Sequence, residues 1–198
     1  MTRPQFDTAL SAARTVAQST PSMREFINWP KTMPFTARPP QPAPVINELQ
    51  NHPGATTALT LPLLQALLAL SKHIEWRLTY SEAEVGKDFL QRFGWFELAG
   101  PRDGYFQTNT TRMTVGYWGA NLYYPWHLHE PEELYLVVSG GALFEVEGRE
   151  SRTLRAGDTI LHTSNQPHAL TTGDSGILTF VLWRGNGLSD PPKMEGKK

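Results

Sequence analysis

The run WHLHEPEELYLVVSG, Trp126–Gly140, holds two histidines two residues apart, then a glutamate, then an apolar stretch that ends on glycine. Side chains of a β-strand alternate between faces, so His127 and His129 point the same way and suit one ion. Glu133 follows Pro131 and opens the next strand, which returns its carboxylate to the same interior. Farther along, GDTILHTSNQPHAL (157–170) offers His168 directly after Pro167, from a distant hairpin. An HxH pair alone is as readily an incidental feature of a strand; Glu133 and His168, arriving in order, make it a candidate metal site. Three imidazoles and a carboxylate suit one divalent ion, Zn2+ or Fe2+ first and Mn2+, Co2+ or Ni2+ as well, far better than Ca2+ or Mg2+, which prefer oxygen shells. His162, two residues beyond Ile160, is expected to be a packed or hydrogen-bonded strand residue. His52 and His73 are read as structural.

Outward from this run the chain is rich in Thr, Val, Tyr, Phe and Trp, broken by Gly, Asn and Asp turn signals. The spacing predicts strands over Arg112–Trp118, Trp126–His129, Leu134–Val138, Ala142–Val146, Thr159–His162, His168–Thr172 and Ile177–Trp183. That many short strands with tight turns make a sandwich or a barrel. The N-terminal half reads differently. Helices are predicted over Thr8–Gln18 and Leu63–Leu78, and a shorter one opens on Ser81 and Glu84 in capping-box spacing and stops at Gly94. Between the first two, the prolines from Pro30 to Pro53 forbid regular structure and imply an extended arm. The organisation expected is a mainly β protein: a helical region at 1–100 with a proline-rich arm at about 30–53, a β-barrel at 101–186, and an unordered tail at 187–198.

The 198 residues suit one ordinary domain with appended structure. Lys and Arg number 18 against 19 Asp and Glu, so the chain carries no electrostatic footprint for nucleic acid or for an anionic membrane. There is no cysteine, which excludes disulfides and thiolate ligands. The first residues lack the apolar run of a signal peptide, and Leu59–Leu70 is too short to span a bilayer, so the default expectation is cytoplasmic.

Aromatic residues gather in sequence around the ligand strands: Trp118, Tyr123, Tyr124, Trp126, Tyr135 and Trp183. Aromatic faces attract organic cations, onium groups above all, although aromatic residues also simply fill small barrels. Tyr135 lies two residues after Glu133 and shares its face, so its phenol is expected near the metal. A divalent cation favours phenolate over phenol. Tyr124 or Tyr135 could then serve as a general base toward a proton made acidic by a carboxylate.

The two motifs, HxH with its Glu and Gly, and Gly-Asp ending in Pro and His, resemble those of cupins, over about residues 105–185. The second motif departs from the usual pattern in lacking a Gly between Pro167 and His168 and an Asn after His168. The resemblance implies a double-stranded β-helix (jelly-roll) barrel with the metal inside. YYPWHLHEPEELYLVVSGGALFEVEG, behind a helical region of this size, is more narrowly similar to the cupin dimethylsulfoniopropionate lyases of the DddQ type. That family cleaves dimethylsulfoniopropionate (DMSP) to dimethyl sulfide and acrylate with a divalent metal. The resemblance places its ligands on His127, His129, Glu133 and His168, and its two candidate bases on Tyr124 and Tyr135. It implies a small sulfonium carboxylate as substrate, which the aromatic wall expected from Trp118, Tyr123, Trp126 and Trp183 would suit. Alternatives are another cupin metalloenzyme, an oxygenase or isomerase of a small carboxylate, and a non-enzymatic small-molecule-binding cupin. The N-terminal helices are left as a cover for the barrel mouth, a lid, or the means of pairing subunits in a homodimer.

Overall fold

The computed structural model describes residues 3–194. The N-terminal region carries α1 (Arg3–Ser19), α2 (Pro21–Phe26), α3 (Val45–Asn51), α4 (Leu61–Leu70), α5 (Glu82–Val85) and α6 (Lys87–Arg92). Among the described residues no helix is long and apolar enough to cross a membrane. On α1, Phe6, Ala9, Ala13, Val16 and Ala17 recur at helical spacing and are buried, forming the stripe that packs against α4. The helix expected to reach Leu78 stops at Leu70. There the Ser71 hydroxyl donates to the Leu68 carbonyl, and residues 75–77 pair instead with Gln41 and Trp95. Tertiary hydrogen bonds thus override helical periodicity.

The proline-rich arm is pinned rather than free. The Thr36 amide donates to the Tyr105 carbonyl at 2.8 Å, Gln41 to Ile74 at 3.1 Å, and the Gly140 amide to Ala55 at 2.8 Å. α3 lies within it, where Pro44 stands at the helix start, a place that tolerates its missing N–H, and no further proline comes before Pro53.

The sheet begins earlier than the expected boundary at 101, with β1 (Phe93–Gly100), followed by β2 (Phe106–Gln107), β3 (Arg112–Trp118), β4 (Tyr123–Leu128), β5 (Glu132–Val146), β6 (Arg152–Arg155), β7 (Thr159–His162), β8 (His168–Arg184) and β9 (Lys193–Met194). Strand order runs β2-β1-β3-β8-β4-β9, and β5 pairs with β6, β7 and β8. Two pairs of predicted strands are thus single long strands. β5 and β8 stay antiparallel from Glu132↔Arg184 to Val146↔His168, with register shifts near Ser139 and Gly140. Gly140 sits at φ 72°, and a Cβ there would come within 2.1 Å of the Gly176 carbonyl oxygen, so the bend requires glycine. The result is a double-stranded β-helix with α-helices packed on one outer face.

Alternation sorts the side chains into two cores. Met113, Val115 and Tyr117 of β3, Leu134 and Leu136 of β5, and Leu178, Phe180 and Leu182 of β8 face the helices. Trp118, Tyr135, Val137, Ile177 and Val181 face the barrel interior. The chain beyond Gly187, expected as an unordered tail, returns to the barrel, where His127 pairs with Met194 and Leu128 with Lys193. β4 otherwise leaves an unpaired edge there, and this short strand covers it. Residues 195–198 of the expected tail lie outside the described residues.

Candidate active site

The candidate ligands come from neighbouring strands. His127 on β4 is directly opposite His168 at the start of β8, and Glu133 on β5 is opposite Trp183 of β8. His129 follows the end of β4. All four are at most 5 % exposed. His129 Nε2 lies 3.0 Å, and His168 Nε2 3.3 Å, from Glu133 Oε2. His129, Glu133 and His168 each offer a donor atom within 4.8 Å of the others. His127 adjoins this trio without meeting that spacing; its ring centroid is 4.1 Å from that of His168.

The three rings share one orientation device. Nδ1 of His127 contacts the Pro125 carbonyl at 2.8 Å, Nδ1 of His129 that of Pro131 at 2.8 Å, and Nδ1 of His168 that of Gln166 at 2.9 Å. A carbonyl only accepts, so each Nδ1 carries the hydrogen and each neutral ring keeps its lone pair on Nε2. His168 Nε2 is buried without a hydrogen-bond partner. An orphaned imidazole nitrogen beside a buried carboxylate and a second imidazole fits a divalent cation.

The electrostatics agree. Burial alone would raise the Glu133 carboxyl pKa, yet His129 and His168 outweigh it and hold the carboxyl well below its ordinary range. Burial lowers His129, but the Glu133 charge and hydrogen bond prevail and its pKa rises. His127 is driven well below its ordinary value by burial and by His168. One negative charge therefore sits among three imidazoles, and positive charge at their centre is favoured.

Both phenols stand beside this cluster. Tyr124 and Tyr135 are 5 % and 3 % exposed. The Tyr124 ring is 4.1 Å from that of His127, and Trp118 lies 5.5 Å from Tyr124 and 6.5 Å from Tyr135. Burial, reinforced by neighbouring phenols and Glu133, pushes Tyr124 well above the ordinary phenol pKa; burial and then Glu133 do the same for Tyr135. Either phenol becomes a base at moderate pH only when compensating positive charge is close.

The cavity that these groups share is lined by Trp118, Tyr124, His127, His129, Glu133, Tyr135 and Trp183 among others. Two residues expected in its aromatic wall are elsewhere. Tyr123 is 48 % exposed because it alternates with inward-facing Tyr124, and Trp126 does not line the cavity, since the strand register shifts between Tyr124 and His127. His162 is packed as expected, its ring stacked on His168 at 3.9 Å and 12°, but both its nitrogens lack hydrogen-bond partners.

Three contributors escape the sequence reading. Tyr80, from the N-terminal region, hydrogen-bonds its phenol to that of Tyr124. Trp95 of β1 lines the cavity, although that segment reads as the end of a helical region. Arg112 also lines it, and here a signal existed: it shares the face of Trp118 along a predicted strand.

Residues 18–179 match the family model for dimethylsulfoniopropionate lyase. The chain is 33% identical over 185 residues to the dimethylsulfoniopropionate lyase DddQ of Ruegeria pomeroyi, covering 93% of this chain and 92% of that protein. The crystal structure of that DddQ from Ruegeria pomeroyi DSS-3 superposes with a TM-score of 0.92 over 99% of this chain and 100% of the other. A structure described with the DMSP lyases RdDddP and RnDddQII superposes with a TM-score of 0.96 at 49% identity, covering 98% of this chain and 99% of that one. The chain belongs to the dimethylsulfoniopropionate lyase family.

Proposed function

We propose that this chain is a metal-dependent carbon–sulfur lyase that cleaves DMSP to dimethyl sulfide and acrylate. The observation that carries the reading is the meeting of His129, His168 and the buried Glu133 carboxylate within 4.8 Å, with His127 adjoining them, beside two buried phenols in an aromatic cavity. His127, His129, Glu133 and His168 would hold the ion, with Zn2+ or Fe2+ the best match to the donor set. A divalent metal there supplies Lewis-acid charge that acidifies the carbon next to a bound carboxylate and favours phenolate over phenol.

The chain's own groups do the rest. Tyr124 or Tyr135, as phenolate, takes the proton from the carbon α to the carboxylate. The pair left by that C–H bond becomes the Cα–Cβ double bond, and the Cβ–S pair departs with sulfur as neutral dimethyl sulfide. Trp118 and the neighbouring tyrosine rings offer π faces to the sulfonium, which has no N–H or O–H to donate. Burial of the phenols and of the ligand cluster keeps water away from the reacting carbons.

The test is release of dimethyl sulfide into the headspace when purified protein of measured metal content meets DMSP. Release with acrylate in equal amount is the expected result. Metal-loaded, folded protein that releases none overturns the assignment.

A further inference from the structure

Arg112 opens β3 with its side chain on the barrel-interior face, the face of Thr114 and Trp118. It lies on one rung with the ligand cluster, since Trp183 is opposite both Arg112 and Glu133. Two strand spacings therefore separate the Arg112 and Glu133 backbones, roughly 10 Å, within side-chain reach of a small ligand between them. Its Nε donates to Glu97 Oε2 at 2.9 Å, and the Glu97 side chain is 1% exposed. The guanidinium carbon is 5.0 Å from the Trp95 ring centre and 5.5 Å from that of Trp183, so the cation packs over two indoles. The Trp183 indole is itself fixed by donating to Thr114 Oγ1 at 3.0 Å.

The open edge of the guanidinium is what remains. Among the described residues, Nη1 and Nη2 make no hydrogen bond to the protein, and Arg112 lines the same cavity as Glu133 and Tyr135. A guanidinium on a side chain only 12% exposed, tied through Nε to Glu97 and carrying unused N–H donors, matches the two oxygens of a carboxylate. We infer that Arg112 is a carboxylate-anchoring residue of this cavity, recognising the anionic end of the substrate and of the unsaturated acid it yields.

The inference rests on the lyase reading for the identity of that anion and adds a polarity to the cavity. Arg112 and the imidazole cluster make one end attractive to a carboxylate. Tyr135, the next inward-facing residue after Glu133, and Trp118 leave aromatic faces at the other end for the sulfonium. Trp183 and Trp95 then serve the anionic end, because their faces are occupied by Arg112. A cation without a carboxylate gains nothing from that end.

The test uses metal-loaded protein with propionate as probe and propionamide, its neutral isostere, as control, followed by calorimetry and by competition against turnover. Arg112→Lys keeps a charge opposite Glu97 and removes the planar fork; a paired Arg112→Met/Glu97→Gln variant avoids leaving the buried carboxylate unmatched. Propionate affinity is expected to fall about tenfold or more in both, with propionamide unchanged. The KM for DMSP rises in parallel while kcat stays within about threefold. Unchanged propionate affinity in either folded, metal-loaded variant overturns the inference, as does a loss confined to kcat. Propionate binding is read without turnover. A wild-type protein that binds propionate through Arg112 yet releases no dimethyl sulfide would sink the lyase reading and leave this one standing.

Discussion

Tyr80 and Tyr124 join phenol to phenol inside the barrel, although 44 residues separate them in sequence and only one belongs to a barrel strand. The bond ties the N-terminal region to a candidate base, and the two rings, 5.7 Å apart, lie with Phe93 and Phe89 in one aromatic cluster. Tyr80→Phe leaves the Tyr124 hydroxyl buried without that partner. The expected outcome is a stability loss of about 1 kcal/mol in denaturant unfolding and a fall in lyase rate larger than any change in KM. Wild-type kinetics in a folded Tyr80→Phe protein would show that Tyr124 does not depend on this bond.

Phenylalanine at each candidate base separates them. The variant that removes the base should lose about 100-fold or more in kcat with its metal content intact. The other should stay within about tenfold, as expected for a packing phenol that loses one hydrogen bond. Headspace assays on both, with elemental analysis of each preparation, decide between Tyr124 and Tyr135.

Metal removal should abolish dimethyl sulfide release and lower the melting temperature, because an ion that binds only the folded cluster stabilises it by mass action. Adding Zn2+ or Fe2+ back should restore both. Glu133→Gln keeps the shape of the carboxylate but takes away the one negative charge among three imidazoles. It is expected to weaken metal affinity about 10-fold or more; equal metal retention by dialysis would remove Glu133 from the ligand set.

Tyr117 gives a prediction about pH that is independent of the site. Its ring is fully buried in the outer core, and its hydroxyl donates to the His52 carbonyl at 2.9 Å. Burial, with Glu48 adding to it and Arg92 opposing, pushes the phenol up to about 12. A phenol with a higher pKa folded than unfolded holds its proton more tightly when folded. Its contribution is therefore complete below about pH 10 and is lost as pH rises toward 12. Urea midpoints should fall across that window, and Tyr117→Phe should flatten the fall.

The barrel and most of the candidate cluster, His129, Glu133 and His168, were legible because strand alternation and turn signals are local rules. Alternation along a strand places His127 with His129, and Glu133 with Tyr135, whatever the rest of the chain does, and turn residues mark the strand ends. The mainly β architecture, the early helix and the capping box at Ser81 followed from the same short-range physics. Helix propensity failed beyond Leu70 because pairing with Gln41 and Trp95 satisfies those backbone groups better. The strand at Phe93–Gly100 was hidden by its place after a helix.

What the tertiary structure decided is which residues from distant parts of the chain meet. Only folding brings Tyr80 to Tyr124, packs Arg112 over Trp95 and Trp183 and ties it to Glu97, stacks His162 on His168, and carries Lys193–Met194 to the edge of β4. The sequence alone determined the chemistry available and the pairing of His127 with His129 and of Glu133 with Tyr135, because alternation acts between residues two apart, whereas Tyr124 joins them only through the register shift before His127. The orientation of each imidazole through a backbone carbonyl, the burial that sets each pKa and the sorting of the aromatic wall into inside and outside required the closed barrel, because each depends on which strands become neighbours and where the register shifts.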